Sequence, residues 1–221
     1  MGEQITTYDF KKTDVAAAMD RDKFYAEQAK VFKKTGKPTR AVETIMVLIF
    51  NLDGELLLQK RSHRKGHNAS MIDKTIAGHV TFGDTPLYTV MFESVQELKV
   101  PSIVLNTEEE FKKAFKLLRK YMESVALVKY IDTKVMPMQR MIKGKKVEIT
   151  YKYNFFVGLY NGSVKPVDKE ASGVLFYDLK VLEKEMKSHP DIFTWDLFYL
   201  LKKYSKDIKK ILKLMKQGSK K

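Results

Sequence analysis

The stretch that decides the fold is Gly78-His79-Val80-Thr81-Phe82-Gly83-Asp84-Thr85-Pro86, which continues to Phe92-Glu93-Ser94-Val95-Gln96-Glu97-Leu98-Lys99-Val100. It predicts a strand end, a glycine-containing loop and then a helix, because Thr85 suits the N-cap and Pro86 the first helical position. Apolar residues recur at helical spacing and are expected to pack on the core: Leu87, Val90, Met91, Val95 and Leu98.

Two carboxylates of this helix give it chemical interest. Glu93 and Glu97 are four residues apart, so they stack on one face, away from the centre of the apolar stripe. The preceding loop brings Asp84 and backbone groups toward the same face. Oxygen ligands placed in this way suit a hard cation such as Mg²⁺ or Mn²⁺.

The spacing of these residues resembles the Nudix box. Gly78 matches the first Gly of the box and Asp84 stands for its first Glu, while Glu93 and Glu97 match two later glutamates. Four positions depart from the family pattern: Phe92 replaces the Arg, Ser94 an apolar residue, Gln96 a Glu and Lys99 the second Gly.

Flanking segments strengthen the resemblance. The hairpin at 51–62, the Ala77-Gly78-His79-Val80 segment and Phe193-Thr194 are similar to the Nudix branch that includes type I isopentenyl-diphosphate isomerases. The resemblance covers roughly residues 41–200. It implies an α/β fold, a Nudix α/β/α sandwich with a mixed β-sheet, with extra N- and C-terminal helices.

One Nudix-like domain is expected over residues 1–221, with a core at about 41–200, a helical lead-in over 1–40 and a basic C-terminal helix and tail over 201–221. The patterns predict helices at 14–34, 106–122, 179–187 and 193–216, and strands at 42–50, 55–61, 72–80 and 173–176. A long hairpin is predicted from 125–138 and 147–160, with Gly144 in its turn.

The composition indicates anionic partners. The formal net charge is +14 and there is no cysteine, which excludes disulfides and thiolate chemistry. The polar N-terminus and the lack of any membrane-span-length apolar stretch lead us to expect a cytoplasmic protein. Expected partners are small anionic diphosphates; a homodimer stays open, and nucleic acid is not favoured because lysine greatly outnumbers arginine.

The resemblance implies a set of site residues. Glu93, Glu97 and the Gly78 carbonyl would hold Mg²⁺ or Mn²⁺, and Lys60, Arg61 and His79 would meet the substrate. Glu97 and Glu170 are the candidates that orient or deprotonate water, with Glu170 lying just before the strand at 173–176.

The activity implied is metal-dependent hydrolysis of a diphosphate linkage in a nucleoside diphosphate derivative or a small organic diphosphate. Phe92 cannot anchor the box glutamates as the family Arg does, so a slow enzyme is expected. A catalytically weak or inactive nucleotide- or RNA-binding module is the alternative. Isopentenyl-diphosphate isomerase is disfavoured, because Ala77 stands where those enzymes carry Cys and only Glu148 of a later acidic pair is kept.

Overall fold

The structure, a computed structural model, describes residues 2–10, 12–142, 144–165 and 171–217. Its strands are β1 (Gln4–Asp9), β2 (Lys12–Asp20), β3 (Arg40–Phe50), β4 (Leu56–Arg61), β5 (Ile72–Asp73), β6 (Ile76–His79), β7 (Ser102–Leu105), β8 (Ala126–Ile142), β9 (Lys145–Leu159) and β10 (Ala171–Tyr177). Its α-helices are α1 (Arg21–Thr35), α2 (Pro86–Leu98), α3 (Glu108–Leu118), α4 (Leu179–Ser188), α5 (Trp195–Lys203) and α6 (Ser205–Gln217), with short 3₁₀ turns at Arg119–Tyr121 and Pro190–Ile192.

These strands form one mixed sheet with the main order β10-β4-β3-β9-β8-β7. Strand β3 runs parallel to β9 and β7 runs parallel to β8, while β8 and β9 form the long antiparallel hairpin predicted from the sequence. Strand β3 is buried along almost its whole length, which is expected for a central strand covered on both faces.

The sheet opens between β3 and β4. These two strands pair only next to their turn, at Ile49–Leu57 and Phe50–Leu56. Beyond those pairs the segment 72–79 enters the gap, with β5 pairing to β4 and β6 pairing antiparallel to β3. The box residue Gly78 is thereby fixed opposite Ile45 in the middle of the sheet.

Helices cover the two faces of the sheet. One core cluster joins the sheet to α3, α4, α5 and α6, and its stacked Phe155 and Tyr204 rings are 4.3 Å apart. A second cluster joins the opposite face to α2 through Val90 and Leu98. This arrangement is the predicted α/β/α layering.

The N-terminal prediction was wrong over residues 14–20. These residues form part of β2, which pairs antiparallel with β1, and α1 begins only at Arg21, where Asp20 accepts a hydrogen bond from the Lys23 N–H at 3.0 Å. Pairing with β1 overrides the helix propensity of Ala16–Ala18. The predicted C-terminal helix is also two helices, because Tyr204 interrupts it; the tail beyond Gln217 lies outside the described residues.

Helix α2 forms where predicted, with Thr85 as N-cap and Pro86 in the first turn, but it packs through a different face. Met91 and Val95, expected in the core, are each 44% exposed, whereas Ser94 and Glu97 are buried beside Val90 and Leu98. The predicted packing face was therefore wrong: the helix is rotated about its axis so that Ser94 and Glu97, rather than Met91 and Val95, face the core. A hydrophobicity pattern cannot find this orientation, since it assigns Ser94 and Glu97 to solvent.

Candidate active site

Glu93 lies directly on Gly78. A Cβ placed on Gly78 would be 2.7 Å from Cδ and 2.9 Å from Cγ of Glu93, and nearer still to Oε1, so the Glu93 carboxylate occupies the space that any other residue would fill. The φ angle of Gly78 is one that any residue can adopt, so the backbone conformation does not require glycine. Glycine is needed at this position because the Glu93 side chain lies too close for a Cβ. The structure thus brings together two of the three predicted metal ligands.

The third predicted ligand, Glu97, is held by a residue that the sequence reasoning missed. Gln59 Nε2 donates to Glu97 Oε2 at 2.7 Å and to the Thr75 carbonyl at 2.5 Å, and both side chains are buried. Glu97 was expected away from the apolar stripe of the helix, and that expectation was wrong because its side chain is buried. Phe92, which stands where the resembled box has Arg, is 59% exposed. The side chain seen to donate to the Glu97 carboxylate is Gln59.

Strand alternation separates the two cations predicted to bind substrate. Successive residues of a strand face opposite sides, so Lys60 points away from the side that Gln59 and Arg61 share. Arg61 lines the cleft, but its Nη1 donates to Asp73 Oδ2 at 2.9 Å and its guanidinium also contacts the His67 carbonyl. Lys60 is not among the lining residues.

Asp73 belongs to a buried charged network at the α5 end of the cleft. It accepts hydrogen bonds from Lys74 Nζ and Thr194 Oγ1, both at 2.8 Å, and Lys74 also pairs with Asp196. Lys74 and Arg61 hold the pKa of the Asp73 carboxyl below its usual range despite burial, and the two carboxylates raise the pKa of Lys74. The charges of Arg61, Asp73, Lys74 and Asp196 therefore balance within the network.

His79 and Arg140 meet at one tyrosine hydroxyl. The Tyr25 hydroxyl lies 2.8 Å from His79 Nε2, and Arg140 Nη1 donates to it at 3.2 Å and to the Tyr151 hydroxyl at 3.3 Å. The Arg140 guanidinium carbon lies 4.0 Å from the centroid of the Tyr25 ring. Burial and the positive charge of Arg140 lower the pKa of His79 to about 3, so the imidazole is neutral at neutral pH.

Part of the basic loop at 62–70, residues 65–68, contributes to the rim of the cleft. Lys65, Gly66, His67 and Asn68 line the cleft. The Met141 N–H donates to His67 Nδ1 at 3.3 Å, which ties the loop to β8. Burial and the nearby Arg140 lower the pKa of His67 to about 4, consistent with a neutral acceptor.

These groups surround one cleft of about 1320 Å³, on whose wall Gly78, Glu93 and Glu97 lie together with Asp84 and Gln96. Thr44, which pairs with His79 across β3 and β6, also lines it, and its Oγ1 has no hydrogen-bond partner among the residues that the structure describes. No group of three or more His, Asp or Glu side chains that could hold a metal occurs in the described part of the chain. Glu170, the other predicted catalytic residue, lies outside that part.

Comparison with known proteins adds information on the fold. No protein-family model matches the chain, and no curated protein matches it. The crystal structure of DR0079 from Deinococcus radiodurans is similar at a TM-score of 0.56 and 14% identity, over 91% of this chain and 98% of that one. Similarity is also found to the MutT protein from Methanosarcina mazei, with a TM-score of 0.45 and 17% identity over 82% of this chain and 96% of that one. A C. elegans Ap4A hydrolase is similar at a TM-score of 0.45 and 17% identity, over 76% of this chain and 98% of that one.

The likeness to DR0079 spans nearly all of both chains and shows a shared fold. Together with the strand, loop and helix at 76–98, which lie in a mixed sheet between helical layers, it confirms the α/β/α sandwich with a mixed sheet that the sequence predicts. None of the helices in the described segments is both long and apolar enough to cross a membrane.

Proposed function

We propose that this protein is a divalent-metal-dependent hydrolase that cleaves a diphosphate linkage in a nucleoside diphosphate derivative or a small organic diphosphate. The observation that carries the proposal is the seating of Glu93 on Gly78 beside the buried Glu97, at the wall of a large cleft. Carboxylate oxygens that lie beside a backbone glycine at a cleft wall are the kind of ligands that a hard cation binds.

The donor set fits Mg²⁺ or Mn²⁺. Both are hard cations that take oxygen ligands, and Mg²⁺ is commonly bound by one or two carboxylates plus substrate phosphates, so a three-carboxylate cage is not required. Glu93, Glu97 and the Gly78 carbonyl would hold the ion. A cation held there supplies charge neutralisation for the diphosphate oxygens.

The residues of the chain divide the remaining tasks. Gln59 fixes the Glu97 carboxylate through Oε2, which preserves the orientation that the family Arg would otherwise provide. Glu97 is the proposed acceptor of a proton from the attacking water, with Glu170 as the second predicted candidate. His79, neutral and hydrogen-bonded to Tyr25, lines the cleft beside Gly78 and contacts substrate without adding charge.

Turnover of a panel of diphosphates tests the proposal. Nucleoside diphosphate sugars, dinucleoside polyphosphates, nucleotides and prenyl diphosphates are incubated with Mg²⁺ or Mn²⁺ and with EDTA, and product is followed by chromatography. The Glu97→Gln variant keeps an acceptor for Gln59 but loses the charge, so turnover falls at least about a hundredfold. The matched control, Glu109→Gln, changes an exposed helical glutamate that does not line the cleft and keeps wild-type turnover.

A nucleotide-binding module without catalysis is the second candidate, favoured by the lack of a three-residue metal cluster in the described residues. It predicts that ligands bind in EDTA as well as in Mg²⁺ and that no compound of the panel is hydrolysed. Metal-independent binding together with a complete absence of turnover would replace the hydrolase proposal with this one.

A further inference from the structure

Arg140 is the unusual cation of the cleft. It projects from β8 and is partly buried, yet none of the ion pairs between described residues includes it. By contrast, Arg61 is paired with Asp73, Lys74 with two carboxylates and Arg21 with Glu3. A partly desolvated charge without a carboxylate partner is costly, so its retention at a cleft wall indicates a ligand of opposite charge.

Its surroundings orient the guanidinium without neutralising it. One nitrogen, Nη1, donates to both the Tyr25 and the Tyr151 hydroxyls, and the planar group stacks on the Tyr25 ring. A guanidinium carries five N–H donors in a rigid fork, and among the described residues the hydrogen bonds of Arg140 are made by Nη1. The fork matches the geometry of phosphate oxygens, which it binds through two parallel hydrogen bonds.

The position of Arg140 relates it to the proposed metal site. The Tyr25 hydroxyl that receives Arg140 also lies against His79, the neighbour of Gly78, and all of these residues line one cleft. An anion on Arg140 would therefore lie in the same cleft as a diphosphate held at Glu93 and Glu97. Lys65 and Arg21 line the same cleft.

We propose that Arg140, held by Tyr25 and Tyr151, binds a phosphate group of the substrate in the cleft that Glu93 and Glu97 also line. This inference rests on the proposed function for the identity of the substrate. The subsite itself is defined without metal, because its donors are supplied by the chain alone. Its ligand class is a phosphoryl group carrying at least two free oxygens.

The test measures binding of inorganic diphosphate by calorimetry in EDTA, so that no cation contributes. Arg140→Gln weakens binding about 10- to 100-fold, the range expected for losing charge-assisted hydrogen bonds. Arg140→Lys keeps the charge but not the fork, and loses severalfold. The matched control, Arg64→Gln, removes the same charge from an exposed residue that does not line the cleft and stays within about twofold of wild type.

A wild-type protein that fails to bind diphosphate in EDTA, or a folded Arg140→Gln variant with wild-type affinity, would overturn the subsite. Should the Gln variant fail to fold, the Lys variant decides: unchanged affinity overturns the proposal and a severalfold loss supports it. Calorimetry with Mn²⁺ alone distinguishes this result from the metal site, because Arg140→Lys leaves Mn²⁺ binding unchanged. The turnover panel tests the proposed hydrolysis separately.

Discussion

The sharpest prediction concerns the contact between Gly78 and Glu93. Replacing Gly78 with Ala places a Cβ 2.7 Å from Glu93 Cδ, where ordinary contacts begin at 3.4 Å. The carboxyl carbon must therefore retreat by about 0.7 Å, and Oε1 by roughly 1 Å, since it lies nearer. A displacement of about 1 Å at a catalytic group costs on the order of a hundredfold in rate.

The same substitution is expected to leave the fold nearly intact. The atoms that must move are the far end of a flexible side chain that is only partly buried, and Gly78 does not have a positive φ. Ala also restricts the unfolded chain more than Gly, which contributes about 0.4–1 kcal/mol in the stabilising direction. We therefore expect a free energy of unfolding within about 1 kcal/mol of wild type.

The assay compares Mn²⁺ affinity by calorimetry, turnover of the best diphosphate and urea unfolding, in Gly78→Ala and in Gly173→Ala. Gly173 lies in β10 with no atom within 4 Å of an added Cβ, so its variant should match wild type in all three measurements. Wild-type metal affinity and turnover in a folded Gly78→Ala protein would refute the reasoning, because Glu93 would then not act from the position that the structure gives it.

Three further outcomes are expected. Gln59→Leu removes one buried hydrogen-bond donor from Glu97 Oε2 and one from the Thr75 carbonyl, so it should lower the free energy of unfolding by about 2–3 kcal/mol in urea and also weaken Mn²⁺ binding. Unchanged metal affinity would show that Gln59 is structural only. Lys99, at the C-cap of α2, has a left-handed φ of 57°, which is strained for a residue with a Cβ. Lys99→Gly should therefore raise the free energy of unfolding by about 0.5–1 kcal/mol, as measured by thermal unfolding. A lower stability of the variant would show that the backbone at Lys99 is not strained. The pKa of His67 is lowered from 6.5 to about 4, so as the pH falls the unfolded chain takes up the His67 proton before the folded protein does, and the free energy of unfolding decreases between pH 6.5 and 4. The His67→Gln variant should show a weaker dependence of the unfolding free energy on pH when both proteins are unfolded in urea at several pH values. The same dependence in both proteins would contradict the prediction.

Several elements of the fold followed from local patterns. Thr85 and Pro86 mark the start of α2 and Asp53-Gly54 the turn between β3 and β4, because capping and turn chemistry depend on neighbouring residues alone. The β-rich segments 125–138 and 147–160, with Gly144 between them, were enough to predict the long hairpin. The lead-in was misread, since the fate of Ala16–Ala18 depends on a partner strand that lies outside any local window.

Part of the candidate site could likewise be predicted from the sequence, and part could not. Spacing alone put Glu93 and Glu97 on one face of a helix and Gly78 at the preceding strand end, because both are matters of local geometry. Only the tertiary structure decided that Glu93 lies on Gly78, that Gln59 donates to Glu97, and that Arg140 rather than Lys60 lines the cleft. Those relations arise between segments distant in sequence, where strand pairing and helix rotation set which side chains meet, and in a chain with 41 Lys and Arg no single cation stands out beforehand.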